Sequence, residues 1–182
     1  MIPEGPIWQR ATAFAASRHA GQLRKDNQTP YVSHVFRVAF TLRDLFGCDD
    51  PDALAAALLH DTIEDTRTDY DDIELAFGPR VADLVASLTK NQLLPEPERE
   101  VEYDRRLARA DKLARLVKLA DVYDNLCDAD RRADAGPETL AKLLGRCDRA
   151  IALATPDADD ARVARAIEIV RAARARASIN TR

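Results

Sequence analysis

Cysteine, glycine and long apolar runs are all scarce in this chain of 182 residues. The three cysteines, Cys48, Cys127 and Cys147, are too few and too scattered for a disulfide framework, and no CxxC pair suggests zinc. We interpret each as a small buried or half-buried apolar residue, which fits a reducing cytoplasm. No apolar stretch approaches the ~20 residues of a membrane span. The N-terminal MIPEGPIWQRATAFAASRHA also lacks the basic start and apolar run of a signal peptide.

A basic excess is missing as well, because the formal net charge is -4 at pH 7. Proteins that bind nucleic acid in general carry a positive surface, so this balance argues against nucleic acid as a partner. It still allows a small anionic ligand held by a local basic patch. We interpret the arginines of the last helix as the solvated face of an amphipathic helix rather than as a patch for RNA or a membrane. They are Arg162, Arg165, Arg171, Arg174 and Arg176.

Helical periodicity is abundant, whereas the alternation typical of strands is almost absent. Only 6 glycines accompany many alanine, leucine, arginine and glutamate residues. These features predict an all-α fold, with one domain over residues 1–182 and about 8–9 helices. The predicted helices cover 7–20, 34–46, 52–61, 69–77, 79–90, a segment ending near 110, 111–129, 138–154 and a last helix after Pro156.

The segment ALLHDTIEDT (57–66) ends an almost wholly apolar helix with four ionisable side chains. If the helix continues through Asp65, at least as a loose turn, His60 and Glu64 share one row and Asp61 and Asp65 share the next, because residues four apart stack on one face. Acidic and imidazole groups that converge at the edge of a core need a compensating cation. A divalent metal ion accepts both imidazole nitrogen and carboxylate oxygen, so we predict a metal site here.

A single helix cannot enclose a metal ion, and two residues elsewhere are candidate ligands. His34 opens the second predicted helix, and Asp121 lies one turn after Val117 and one turn before Asn125, beside an apolar stripe. A bare carboxylate is disfavoured there. Taken singly, His34 fits a helix-start or core histidine, and Asp121 fits a partner of Lys118 or of an arginine. Together with HDTIEDT, they favour a metal site shared by three helices.

These segments resemble the HD-domain superfamily, and more narrowly the hydrolase domain of the RelA/SpoT family, in particular its stand-alone small alarmone hydrolases of the Mesh type. The matching segments run in family order over roughly the first 130 residues. They are FAASRHAGQLRK (14–25), TPYVSH (29–34), ALLHDTIEDT (57–66), FGPRVADLVASLTK (77–90) and LVKLADVYDN (116–125).

The resemblance implies an HD-domain helical fold with one divalent metal ion, usually manganese (Mn2+). The implied metal ligands are His34, His60, Asp61 and Asp121. It also implies that Glu64 and Asp65 form the catalytic acidic pair, which positions and activates water. The implied reaction removes the 3′-pyrophosphate of the guanosine alarmones ppGpp and pppGpp, leaving GDP or GTP and pyrophosphate.

The substrate is expected to be a small-molecule nucleotide, and the resemblance implies residues that hold it. Arg24 and Lys25 would meet its phosphates, and Asn125 would help to hold it. Tyr31 lies between the basic pair and His34, where it either stacks on a base or serves as a packing aromatic. We interpret His19 as structural or pocket-lining.

Several positions depart from the usual family pattern, and they lie around the substrate rather than the metal. Val35 replaces a usual proline, Val122 a common basic residue, and Asp124 a frequent His or Tyr; no pocket tyrosine has a clear counterpart near LLGRCDRA. The nucleotide therefore stays open, with an adenosine alarmone or the 2′-phosphate of NADPH as alternatives. A third alternative, a non-catalytic nucleotide-binding module, does not explain the additional acids Glu64 and Asp65. The oligomeric state is also open, a homodimer included.

Overall fold

The computed structural model describes residues 5–179, and this part of the chain confirms the predicted all-α class. It contains nine α-helices of eight residues or more and one single-turn helix, and its only β-pairing is an isolated bridge between Leu23 and Pro30. The helices are α1 (Ile7–Arg18), α2 (Val32–Phe40), α3 (Pro51–Leu59), α4 (Thr62–Asp65), α5 (Tyr70–Phe77), α6 (Pro79–Leu88), α7 (Glu96–Arg109), α8 (Lys112–Cys127), α9 (Pro137–Ala154) and α10 (Ala161–Ile179).

The HDTIEDT segment continues α3 as a separate single turn, in agreement with the predicted helix over 52–61 and a loose turn through Asp65. Helix α3 ends at Leu59, and Asp61 has φ -99° and ψ -2° before the single turn α4 begins. The Thr62 hydroxyl donates to the Leu59 carbonyl at 2.6 Å, a local bond that favours a turn over a continuous helix. The break lets the side chains on either side of it point in different directions.

Helices α3 and α8 form the centre of the fold. Helix α3 is buried on most faces, as its nearly continuous apolar sequence predicts, and it packs against α1, α2 and α6. Its alanines, including Ala55, Ala56 and Ala57, are fully buried and allow neighbouring helices to approach closely. Helix α8 packs against α2, α3, α6, α9 and α10. Because α2, α3 and α8 contact one another, polar residues on their facing sides meet at one edge of the core.

Helix α10 covers α8 and α9 with the apolar face that the sequence predicts. Its buried residues include Val163, Ala166, Ile167, Val170 and Ala173. On the outer side, Arg162 pairs with Asp160 at 2.7 Å and Arg174 pairs with Asp148 at 2.6 Å. This arrangement agrees with a solvated arginine face. Within residues 5–179, we find no helix with both the length and the apolar character that crossing a membrane requires.

The cysteine prediction is confirmed for two residues and wrong for the third. Cys48 and Cys147 are fully buried, and burial raises the pKa of Cys147 to about 11. Cys127 is exposed, because it is the last residue of α8 and lies where the helix leaves the core.

Arg115, on α8, is a buried cation that ties α7 to the connection between α9 and α10. Its Nη1 donates to the main-chain oxygens of Leu107 at 2.9 Å and Ala110 at 2.6 Å, and its Nε donates to Asp157 at 2.6 Å. The carbonyls at the end of a helix have no partner within the helix, so Arg115 satisfies groups that would otherwise lack a donor.

Replacing this cation should destabilise the fold. We expect Arg115→Met to lower the free energy of unfolding by about 3 kcal/mol, because Asp157 and the α7 carbonyls would lose their donor. Urea denaturation followed by circular dichroism measures the change. The control is Arg165→Met on the exposed face of α10, which should stay within about 0.5 kcal/mol of the parent. Equal effects of the two substitutions would contradict this role for Arg115.

Candidate metal centre and active site

His34, His60 and Asp121 bring their side chains together at the junction of α2, α3 and α8. One ligand atom from each of the three lies within 4.8 Å of the others. The Nε2 atom of His34 lies 3.3 Å from Oδ1 of Asp121, and Nε2 of His60 lies 3.8 Å from the same oxygen. All three side chains are buried, with at most 7% of each residue exposed. The arrangement brings together three predicted ligands from three helices, and it could hold a metal ion.

Both histidines direct Nε2 into this cluster because their other ring nitrogens are occupied. Nδ1 of His60 donates to the Ala57 carbonyl at 2.9 Å, and Nδ1 of His34 donates to Asp124 at 2.7 Å. The Nε2 of His60 is buried and makes no hydrogen bond within the described part of the chain. Buried polar atoms are rarely left without a partner, so this nitrogen fits a metal ligand.

Asp61, the fourth predicted ligand, lies directly beside the cluster. Its Oδ2 is 3.0 Å from Nε2 of His60 and 3.5 Å from Nε2 of His34. The Tyr31 hydroxyl donates to the same oxygen at 2.5 Å. The position fits coordination, and the ligand role of Asp61 stays a prediction.

The carboxylates of Asp61 and Asp121 favour a positive charge on the imidazole rings of His34 and His60. Burial by itself would lower the pKa of His34, but hydrogen bonds with the facing carboxylates, Asp121 first, outweigh it and raise the pKa to about 9. The pKa of His60 is likewise raised well above its ordinary value against the effect of burial. Burial would raise the pKa of Asp61, yet the two histidines hold it well below the usual range. A divalent cation bound between these carboxylates and imidazoles would supply the same positive charge.

Asp121 is held by two further donors on its own helix. Lys118 Nζ donates to Oδ2 at 2.8 Å, and Asn125 Nδ2 donates to Oδ1 at 2.6 Å. The alternative pairing with Lys118 is therefore present, but it does not exclude a metal-ligand role. Lys118 occupies the oxygen opposite the one that faces the histidines.

Glu64 and Asp65 lie on α4, beside the cluster rather than within it. Glu64 accepts from the main-chain N–H of Lys90 and from Nε2 of Gln92, both at 2.9 Å. Asp65 accepts from the Tyr31 hydroxyl at 3.1 Å. Burial is the main cause that raises the pKa of each acid. A raised pKa makes each carboxylate a better proton acceptor.

A cavity of about 760 Å³ opens over the cluster, and all the predicted substrate-binding residues line it. Its size is within the range of small-ligand sites. Lys25 is exposed at its rim. Arg24 is more restricted than the sequence suggests, because it is buried and its Nη2 donates to Asn125 at 3.0 Å, while Nε lies 3.4 Å from Asp128.

Tyr31 fills the space between two histidines. Its ring centroid lies 4.8 Å from that of His19 and 5.7 Å from that of His34, which supports a packing role. Stacking on a base stays a prediction. His19 is buried and its Nδ1 contacts Oε1 of Gln22 at 2.8 Å, in agreement with the structural interpretation.

The sequence reasoning missed a second group of cations that lines the same cavity. These are Lys90, Lys118, Arg132, Arg146 and Arg149. Lys90 and Arg149 both pair with Glu100, at 2.5 and 3.1 Å. Arg146 also acts on Glu100, because its positive charge helps to lower the pKa of that carboxyl. In the sequence, the position of Arg146 one helical turn after Leu143 could have indicated that its side chain lies near the core-facing side of α9.

Comparison with known proteins places the chain in a family. A family model described as "HD domain" matches residues 11–147, and this chain belongs to that family. A Xenopus tropicalis protein named guanosine-3′,5′-bis(diphosphate) 3′-pyrophosphohydrolase MESH1 is 42% identical over 137 residues, which cover 75% of this chain and 76% of the relative. The human protein of the same name is 43% identical over 127 residues, covering 69% and 71%.

A solved structure is similar over nearly the whole chain. It is described as a metazoan ortholog of SpoT that hydrolyzes ppGpp, and it matches with a TM-score of 0.79 and 30% sequence identity. The match covers 94% of this chain and 97% of the other. The likeness therefore extends beyond residue 147, to the helices that follow the family match.

A metal ion should stabilise the folded chain through this cluster. We expect Mn2+ at about 100 times its Kd to add about 2.7 kcal/mol to the free energy of unfolding and to raise Tm by about 5–10 °C. Asp121→Asn should remove most of the shift, because it replaces the carboxylate of a candidate ligand with a neutral amide of the same shape. Thermal denaturation with and without Mn2+ measures this.

The matched control is Asp148→Asn, which removes a carboxylate from a surface pair with Arg174. That variant should keep the full Mn2+-dependent shift. A parent protein with no shift, or an Asp121→Asn variant with an undiminished one, would be evidence against the metal centre.

Proposed function

We propose that this protein is a manganese-dependent hydrolase of the guanosine alarmones ppGpp and pppGpp, acting in the cytoplasm. It would release pyrophosphate from the 3′ position and leave GDP or GTP. The observation that carries the proposal is the buried cluster of His34, His60 and Asp121 at the floor of a nucleotide-sized cavity, in which Nε2 of His60 is buried and makes no hydrogen bond to any described residue. Relatives that are 42–43% identical and bear the name of this activity support the choice of substrate.

In this proposal His34, His60, Asp61 and Asp121 hold the cation. A bound divalent ion lowers the pKa of water and polarises a phosphoryl oxygen. The chain itself supplies the proton acceptor and its orientation. Glu64 is fixed at both carboxylate oxygens by Lys90 and Gln92, which leaves its remaining lone pairs for a water molecule.

Asp65 would help to orient the same water molecule, since the Tyr31 hydroxyl links it to Asp61. At the rim, Lys25 would meet substrate phosphates as an exposed cation. Arg24 and Asn125 would form one wall of the nucleotide site, and Arg146 adds positive charge on α9. Cations on two sides of the cavity suit a substrate that carries several phosphates.

A substrate panel tests the choice of nucleotide. With Mn2+ present, we expect pyrophosphate release from ppGpp and pppGpp, measured by a coupled pyrophosphate assay beside a phosphate assay. An adenosine alarmone and NADPH serve as the comparison substrates. Phosphate release from NADPH alone would favour NADPH as the substrate of the same metal site. Tight binding without turnover of any nucleotide would favour a non-catalytic binding module.

The acidic pair should be needed for turnover but not for metal binding. We expect Glu64→Gln with Asp65→Asn to reduce kcat at least about 100-fold, because the variant loses its proton acceptor. Its affinity for Mn2+, measured by electron paramagnetic resonance of the free ion, should stay within about threefold of the parent.

The control exchanges an equivalent pair on the neighbouring exposed face of α5, Asp71→Asn with Glu74→Gln. It should leave both kcat and Mn2+ affinity unchanged. Parental turnover in the Glu64/Asp65 variant would remove these residues from the mechanism.

A further inference from the structure

Asp124 is a buried carboxylate that no part of the proposed reaction uses. It lies on α8 one turn after Asp121, and only 4% of the residue is exposed. Its Oδ2 accepts from Nδ1 of His34 at 2.7 Å. It is not among the residues that line the cavity, so a direct contact with substrate does not explain it.

Arg37 compensates this buried charge from the adjacent helix. Its Nε donates to Oδ1 of Asp124 at 2.6 Å and its Nη2 donates to Oδ2 at 2.9 Å, a bidentate arrangement. The same Nη2 also donates to Asp128 at 2.7 Å, and Asp128 in turn lies 3.4 Å from Nε of Arg24. The carboxylate thus stands between a guanidinium group on one side and the imidazole of a metal-ligand candidate on the other.

The two histidines of the cluster are held by different chemistry. His60 Nδ1 donates to a neutral main-chain carbonyl, whereas His34 Nδ1 donates to a carboxylate. A hydrogen bond at one ring nitrogen fixes the ring and leaves the lone pair on the other. A charged acceptor also makes that second nitrogen a stronger donor to a metal ion.

We propose that Asp124 is a positioning residue for the metal centre, which holds the His34 ring with Nε2 directed at the ion, while Arg37 holds Asp124. The inference rests on the proposed metal site. Neither residue touches substrate. The competing explanation is a salt bridge between α2 and α8 that stabilises the fold and has no bearing on the metal.

Metal affinity separates the two explanations. We expect Asp124→Asn to raise the Kd for Mn2+ about 10–100-fold, the usual effect of losing a group that orients a metal ligand. Electron paramagnetic resonance of free Mn2+, titrated against folded protein, measures this without reference to activity. The matched control is Asp157→Asn, which takes the carboxylate from the buried Arg115 pair and contacts no residue of the cluster in the described part of the chain. It should change the Kd less than threefold, even if both variants have a lower Tm.

A second pair of variants tests whether a mismatch between the new amide and Arg37, rather than the loss of the carboxylate, weakens Mn2+ binding. In Asp124→Asn the new amide faces the donors of Arg37, so we pair it with Arg37→Gln, whose neutral amide offers both a donor and an acceptor to the asparagine. The double variant should show the same weakened Mn2+ binding, whereas Arg37→Gln alone keeps the carboxylate on His34 and should raise the Kd less than Asp124→Asn does. Circular dichroism confirms that each protein is folded.

The outcomes are distinguishable. If Asp124→Asn and the double variant both bind Mn2+ within threefold of the parent, Asp124 is a structural salt bridge and the inference is wrong. If the parent itself binds no Mn2+, the proposed metal centre fails and this inference fails with it.

Discussion

The structure depends on how carboxylates and imidazoles are tolerated inside an apolar helical core. Asp121 and the two histidines are buried where α2, α3 and α8 meet, and buried charge is costly unless it is compensated. The chain supplies part of the compensation through Lys118 and Asn125, which bind Asp121 directly. The Nε2 atoms of the histidines face the carboxylates, and a cation bound between them would neutralise the remaining negative charge.

Compensation of this kind extends outward in a series of alternating charges. Asp124 bonds His34, Arg37 bonds Asp124 and Asp128, and Arg24 reaches Asp128. Each charge lies beside one of opposite sign, so few of these groups can change alone. Arg115 follows the same rule elsewhere in α8, where it satisfies main-chain carbonyls and Asp157 together.

Much of this arrangement could be predicted from the sequence, because helical periodicity reports burial directly. The stripe on α10, the burial of α3 and the convergence of His34, His60 and Asp121 all follow from which residues face the core. The side-chain bond from Thr62 that accompanies the break between α3 and α4 could not be predicted from the periodicity. The pairing of Arg37 with Asp124 was also hidden, since it joins residues 87 positions apart.

The metal-ligand candidates and the catalytic candidate Glu64 are positioned by different parts of the fold, because α4 is separate from α3. The metal-ligand candidates His34 and Asp121 belong to long packed helices, whereas Glu64 is oriented from the α6–α7 connection by Lys90 and Gln92. That connection is an exposed loop, where insertions and exchanges are best tolerated. Substitutions in this loop would change the orientation of Glu64 while the helical core stays the same. New substrate preferences can therefore arise without changes to the core.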